Sequence, residues 1–109
     1  MSKDKISVWK SPSTRQLAEV LATIDSTADM QNFLRDVMSE KEIIEISSRL
    51  EAARMLQAGS TYVDIVAKTR LSSRTVARIS DWMQNGCKGY GAVIEQINRH
   101  SHISSARAA

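Results

Sequence analysis

The apolar residues of this chain recur at spacings of three and four residues and almost never alternate with polar ones. Such spacing places side chains on one face of an α-helix, whereas strict alternation is typical of a strand. The pattern therefore predicts an all-α fold of about six short helices, with no strands. A length of 109 residues, 42% of them hydrophobic, is that of one globular domain.

The stripes of apolar residues define three parts of the chain. Residues 1–11 are polar and basic, and we expect a flexible arm there. Residues 12–99 contain the amphipathic segments and form the predicted helical domain. Residues 100–109 have no apolar stripe and are expected to fray as a tail.

Capping residues predict where the helices begin and end. Pro12 suits the first turn of a helix. Ser13 with Gln16, and Ser39 with Glu42, have the spacing of a capping box, in which each side chain accepts a hydrogen bond from the other residue's backbone. These pairs predict the starts of the first and the longest helix. Gly59 is expected to end the longest helix in a left-handed conformation.

The first three helices carry more apolar residues than one small bundle needs. Their stripes span Leu17 to Ile24, Phe33 to Met38 and Ile43 to Leu50. Because a chain of this size buries a limited fraction of its surface, we expect a homodimer with these helices at its interface.

The residues needed for catalysis or metal binding are not grouped in this sequence. His100 and His102 fall in the predicted tail, and Cys87 has no neighbouring histidine. These three side chains are too few for a four-ligand zinc site, and one cysteine cannot form a disulfide scaffold. No apolar run approaches the ~18 residues of a membrane span. We therefore expect a cytoplasmic protein that is not an enzyme, has no metal and contacts no membrane.

Residues 61–83 match the plan of a helix-turn-helix, in which two short helices are joined by a turn of a few residues. Apolar residues occupy the positions that lock the two helices together: Ile65, Leu71, Val76 and Ile79. Between Val66 and Ser80 there is no acidic residue, and the cations are Lys68, Arg70, Arg74 and Arg78. Pattern and charge together predict a segment that binds double-stranded DNA.

Small hydroxyl groups and arginines on such a segment can approach the groove floor and the phosphates of a duplex. We expect Ser73, Arg74 and Ala77 to face base edges. Residues expected mainly at the DNA backbone are Thr61, Lys68, Arg70 and Arg78. The whole predicted DNA-binding set is Thr61, Lys68, Arg70, Ser72, Ser73, Arg74, Thr75, Ala77 and Arg78.

Two residues depart from the usual helix-turn-helix pattern. Arg70 stands at the turn position where glycine is preferred, and a left-handed backbone there costs roughly 1 kcal/mol. Val66 replaces the small alanine common at the helix crossing. The alternative interpretation is a helical hairpin with solvated cations, in a dimeric interaction or adaptor protein that does not bind DNA.

A longer stretch, from Val37 to Tyr90, carries a family pattern. Its elements are residues 38–42, Arg49, residues 55–59, 61–65 and 72–80, and the pairs 85–86 and 89–90. Together they resemble the trp repressor superfamily, in particular its YerC/YecD-like members. The resemblance implies an all-helical, intertwined homodimer whose two helix-turn-helix units bind successive major grooves of a palindromic operator. It implies a bacterial transcriptional regulator, expected to be a repressor.

The same resemblance implies a candidate effector pocket. In trp repressor two arginines flank the bound tryptophan, and by order and context they match Arg49 and Arg78 of this chain. The alternative is that Arg49 pairs with Glu45 on its own helix and that Arg78 contacts only DNA. We favour this alternative, because Ile79 stands where the tryptophan-binding protein has a glycine against the ligand. We therefore expect no tryptophan corepressor and no other cofactor, while a small-molecule effector stays unassigned.

Overall fold

The computed structural model describes residues 7–100, which form a short 3-10 turn and six α-helices. The turn spans Val8–Lys10, and the helices are α1 (Pro12–Thr23), α2 (Thr27–Val37), α3 (Glu40–Gln57), α4 (Tyr62–Thr69), α5 (Ser73–Asn85) and α6 (Gly89–Arg99). No strand occurs among these residues, so the predicted all-α fold is confirmed. Within the same range, no helix is both long and apolar enough to cross a membrane.

The start of α3 has the predicted capping box. The Ser39 amide donates to Glu42 Oε1 at 2.8 Å, and the Glu42 amide donates to Ser39 Oγ at 3.1 Å. The prediction for α1 was wrong by two residues. Ser11, not Ser13, caps that helix, because Pro12 occupies its first position and Ser11 Oγ accepts from the Ser13 amide at 3.2 Å.

The end of α3 is also as predicted. Gly59 has a φ of +91°, which places it in the left-handed region. The Ser60 amide donates to the Met55 carbonyl at 2.9 Å, and the Gly59 amide donates to the Leu56 carbonyl at 3.0 Å. This pair of bonds is a Schellman motif, which satisfies carbonyls left open at the end of the helix.

The described residues belong to two compact units, which divide after Ile43 within α3. In the first unit, the Val8–Lys10 turn is tied to α1, because Arg15 Nη1 donates to the Trp9 and Lys10 carbonyls at 3.0 Å each. Of the flexible arm predicted over 1–11, residues 8–11 form this turn and the cap of α1, and residues 1–6 lie outside the described range. Neither α1 nor α2 contains a buried residue.

The second unit has a hydrophobic core to which α3, α4, α5 and α6 all contribute. Its buried members, each at most 2% exposed, are Ala52, Ala53, Ile65, Val76, Ile79 and Ile94. Partly buried residues packed against them include Leu50, Leu71 and Met83. The predicted tail begins at His100, the C-cap of α6, and its remaining residues, including His102, lie outside the described range.

Candidate DNA-binding site

Helices α4 and α5, with the turn of residues 70–72, form the predicted helix-turn-helix. A hydroxyl group caps each helix. Thr61 Oγ1 accepts from the Asp64 amide at 3.1 Å, and Ser72 Oγ accepts from the Thr75 amide at 3.1 Å. These caps fix where each helix begins and therefore which residues enter the turn.

Arg70 occupies the turn in a left-handed conformation, with φ of 65° and ψ of 13°. Its amide donates to the Val66 carbonyl at 2.8 Å, so the residue closes α4 and reverses the chain. The left-handed backbone predicted for this turn position, where glycine is preferred, is thus confirmed at Arg70. Arg70 adopts this conformation at a cost of roughly 1 kcal/mol, and its side chain is exposed.

Thr69 stabilises the same turn from inside, a role that the sequence analysis did not identify. Only 8% of Thr69 is exposed. Its Oγ1 donates to the Ile65 carbonyl at 2.7 Å and accepts from the Leu71 amide at 3.3 Å. The available signal was a hydroxyl residue at the end of a helix, because such side chains bond the carbonyl four residues back and the amide two residues on.

The recognition helix, α5, has two distinct sides. Val76 and Ile79 are 0% exposed and belong to the hydrophobic core, as predicted. The opposite side presents the exposed residues Ser73, Arg74, Ala77 and Arg78. This division leaves the side predicted to face DNA entirely outside the core.

The cations of the helix-turn-helix are available to an anionic partner. Lys68, Arg70, Arg74 and Arg78 are exposed, and none of them belongs to an ion pair in the described range. The ion pairs found there join residues of α3 or of α6: Glu45 with Arg49, Glu51 with Arg54, and Glu95 with Arg99. The helix-turn-helix therefore presents four exposed cations, and no ion pair within the described residues neutralises any of them.

Two predicted DNA-binding residues are engaged within the cap of α5. Ser72 Oγ donates to Thr75 Oγ1 at 3.0 Å in addition to accepting from the Thr75 amide. Thr75 is half-buried. The pair therefore positions α5, and one of its two hydroxyl groups keeps a proton for a phosphate oxygen.

The two arginines of the candidate effector pocket differ in their surroundings. Arg49 Nη2 donates to Glu45 Oε2 at 2.9 Å, which confirms the pairing favoured from the sequence. The Arg49 Cζ atom also lies 5.9 Å from the ring centroid of Trp82, a contact that the sequence analysis missed. Arg78 is exposed instead, and Ile79 beside it is fully enclosed in the core. In the described range, no group of three or more metal-ligating side chains lies together.

An all-helical unit that presents exposed cations on a capped helix-turn-helix is typical of DNA-binding proteins. A family model described as Trp repressor protein matches residues 13–98. The chain therefore belongs to the Trp repressor family, a family of DNA-binding regulators and not of enzymes. This membership confirms the resemblance found in the sequence and the expected non-enzymatic class.

Known proteins agree with this assignment in sequence and in structure. Protein YerC of Bacillus subtilis is 28% identical over a 96-residue alignment, and the match covers 85% of this chain and 92% of the relative. A solved TrpR-like protein from Eubacterium eligens has a TM-score of 0.79 and 30% identity, with 84% of this chain and 95% of that chain covered. A candidate Trp repressor from Staphylococcus aureus has the same TM-score at 25% identity, with 85% and 93% covered.

Proposed function

We propose that this protein is a sequence-specific transcription regulator, a repressor that binds a palindromic operator in double-stranded DNA as a homodimer in the cytoplasm. The observation that carries the proposal is the two-sided α5. One side is locked by buried Val76 and Ile79, and the other presents exposed arginines that have no acidic partner among residues 7–100. A helix held in this way can enter a major groove without loss of its own packing.

The exposed residues divide into two kinds of contact. Ser73, Arg74 and Ala77 lie in the first turns of α5, where a recognition helix meets base edges. Lys68, Arg70 and Arg78 contact phosphates and fix the orientation of the protein on the duplex, because phosphate contacts carry no base identity. The hydroxyl groups of Thr61 and Thr75 donate to the backbone in the same way.

The exposed apolar residues support the homodimer. Leu17 and Val20 on α1 are 48% and 41% exposed, and Ile44 and Ile46 on α3 are 58% and 55% exposed. Exposed apolar side chains on these helices are ones that a second subunit would cover. A second copy with twofold symmetry would present two recognition helices, which is why the operator is palindromic. Sedimentation at micromolar concentration should give twice the 12.1 kDa chain mass.

We propose that tryptophan is not a corepressor. Ile79 is fully buried beside Arg78, and Arg49 is engaged by Glu45 and by Trp82. A ligand would have to displace packed groups, at a cost of about 1–3 kcal/mol. Titration calorimetry with L-tryptophan should show no saturable heat up to millimolar ligand, and a micromolar dissociation constant would contradict this proposal.

The deciding experiment is selection of bound fragments from random duplex DNA by the purified protein, with and without amino acids. A palindromic consensus would support both the class and the symmetry. Affinity for duplex DNA should also fall steeply with salt, because each phosphate contact releases counterions. A protein that binds no duplex at any salt concentration would be the interaction or adaptor protein instead.

A further inference from the structure

Trp82 joins the recognition helix to α3 outside the buried core. It lies one turn beyond the buried Ile79, and 43% of it is exposed. The Arg49 Cζ atom on α3 lies 5.9 Å from the Trp82 ring centroid. A guanidinium within about 6 Å of an indole face is attracted by its π electrons. The contact is therefore a direct attraction between the two helices.

The position of Arg49 is itself fixed. Its Nη2 donates to Glu45 Oε2 at 2.9 Å, one turn earlier on α3, and 30% of the Arg49 side chain is exposed. Because a guanidinium is planar, an ion pair along one edge leaves a face for an aromatic ring. Glu45, Arg49 and Trp82 thus form a connected row of side chains within the second unit.

This row lies where it can control the direction of α5. Arg74, Arg78 and Trp82 follow one another at intervals of four residues and so share one side of that helix. Ala52 and Ala53 are the buried members that α3 contributes to this core, and both side chains are short. Contacts outside the core can therefore help to set the rotation of α5 relative to α3. A contact beyond the core restrains that rotation.

We propose that Trp82 is a positioning residue for DNA recognition, whose indole on Arg49 holds α5 at its binding angle in place of a small aromatic effector. This inference rests on the proposed DNA-binding function and states how the site keeps its geometry without a ligand. An aromatic ligand would have to compete with Trp82 for the face of Arg49. In this proposal the protein is able to bind DNA without first binding a small-molecule ligand.

The test compares the full chain with Trp82→Leu, Arg49→Met and the double variant, on the selected operator and on random duplex. Each single change should weaken operator binding about 2- to 5-fold, the range of an exposed cation–π contact. The double variant should lose no more than either single one, because both remove the same contact. The salt slope should stay unchanged, since no phosphate contact is lost.

Restoring operator affinity with free indole distinguishes a positioning role of the Trp82 ring from a general loss of packing. Trp82→Ala leaves a gap that indole can fill, so millimolar indole should restore much of its operator affinity. Wild type, and Trp82→Ala combined with Arg49→Met, should not respond. Trp82→Phe keeps a ring over Arg49 and should retain most of the affinity. Trp9→Phe is the matched control at the other tryptophan and should bind as wild type does.

The outcomes are distinct. If Trp82→Leu and Arg49→Met both bind the operator as tightly as wild type, the positioning role is overturned and the proposed function stands. Equal losses on operator and random duplex, with a smaller salt slope, would also overturn it. If the wild-type protein binds all duplexes with equal affinity, the proposed function is overturned, and the positioning role is overturned with it. Should Trp82→Leu fail to fold, Arg49→Met on the surface of α3 still decides the result.

Discussion

The N-terminal helices and the helix-turn-helix follow the same local rules but differ in burial. Both regions have amphipathic helices capped by hydroxyl groups, such as Ser26 for α2 and Thr61 for α4. Yet α1 and α2 bury no residue, whereas α4 and α5 bury Ile65, Val76 and Ile79 completely. Local signals are therefore enough to form a helix, but only a closed set of neighbours forms a core. The region without a core is the one that we propose a second subunit covers.

The largest effect is expected inside the helix-turn-helix core. Ile65→Ala should lower the free energy of unfolding by about 2–5 kcal/mol, because it leaves a cavity in a packed site. Val63→Ala on the same helix is the control, since Val63 is 78% exposed and should change stability by less than about 0.5 kcal/mol. Urea titration followed by circular dichroism measures both. Equal losses would show that the core does not include α4.

The exposed side of α5 should affect recognition and not stability. Arg74→Ala should reduce discrimination between operator and random duplex by about 1–3 kcal/mol if the arginine contacts a guanine edge. Lys68→Ala should weaken both duplexes equally and lower the salt slope by about 0.9. Competition binding at several salt concentrations separates the two. An unchanged preference in Arg74→Ala would remove this residue from the base contacts.

Dilution should affect the two regions differently. If α1 and α2 are covered by a second copy, a tenfold dilution should lower the free energy of opening there by about 0.7 kcal/mol, because the monomer fraction of a homodimer rises with the square root of dilution. Amides of α4 and α5 in the self-contained core should be less affected. Amide hydrogen exchange at two protein concentrations tests this difference. Identical protection of α1 at both concentrations would argue against a dimer interface on that helix.

The smallest effect is expected at the turn. Arg70→Gly should relieve a left-handed conformation that costs roughly 1 kcal/mol. The gain in the free energy of unfolding is smaller than this, because glycine gives the unfolded chain more conformational freedom. Arg70→Ala keeps the strained geometry and is the matched control. Both variants should weaken binding to all duplexes similarly, because both remove the same cation. Only Arg70→Gly should have a higher melting temperature than wild type, because only glycine relieves the left-handed conformation. A lower one would mean that the arginine side chain stabilises the turn.

Much of the fold could be predicted because the responsible interactions span few residues. The Ser39 and Glu42 cap, the left-handed Gly59 and the two inward residues of α5 all follow from contacts within one or two turns. The cap of α1 was misplaced for an equally local reason. Pro12 favours the first helical position, which makes Ser11 the capping residue.

The candidate site could be predicted only in part. The exposed cations follow from charge and helical period, so Arg74 and Arg78 were placed correctly on the outer side of α5. The engagement of Ser72 with Thr75 was not foreseen, because either hydroxyl could cap the helix or point outward. Sequence alone gives the residue types of such a surface but not which donors stay unused.

The helices, their caps and the position of the helix-turn-helix follow from side chains that lie within four residues of one another along the chain, and the hydroxyl bonds of Thr69 are of the same local kind. The meeting of Trp82 with Arg49 does not follow from the sequence in this way. That contact depends on how separate helices cross. Arg49 and Trp82 lie on different helices, so no local spacing brings them together, and only the packing of α3 with α5 around a shared core places the guanidinium over the indole.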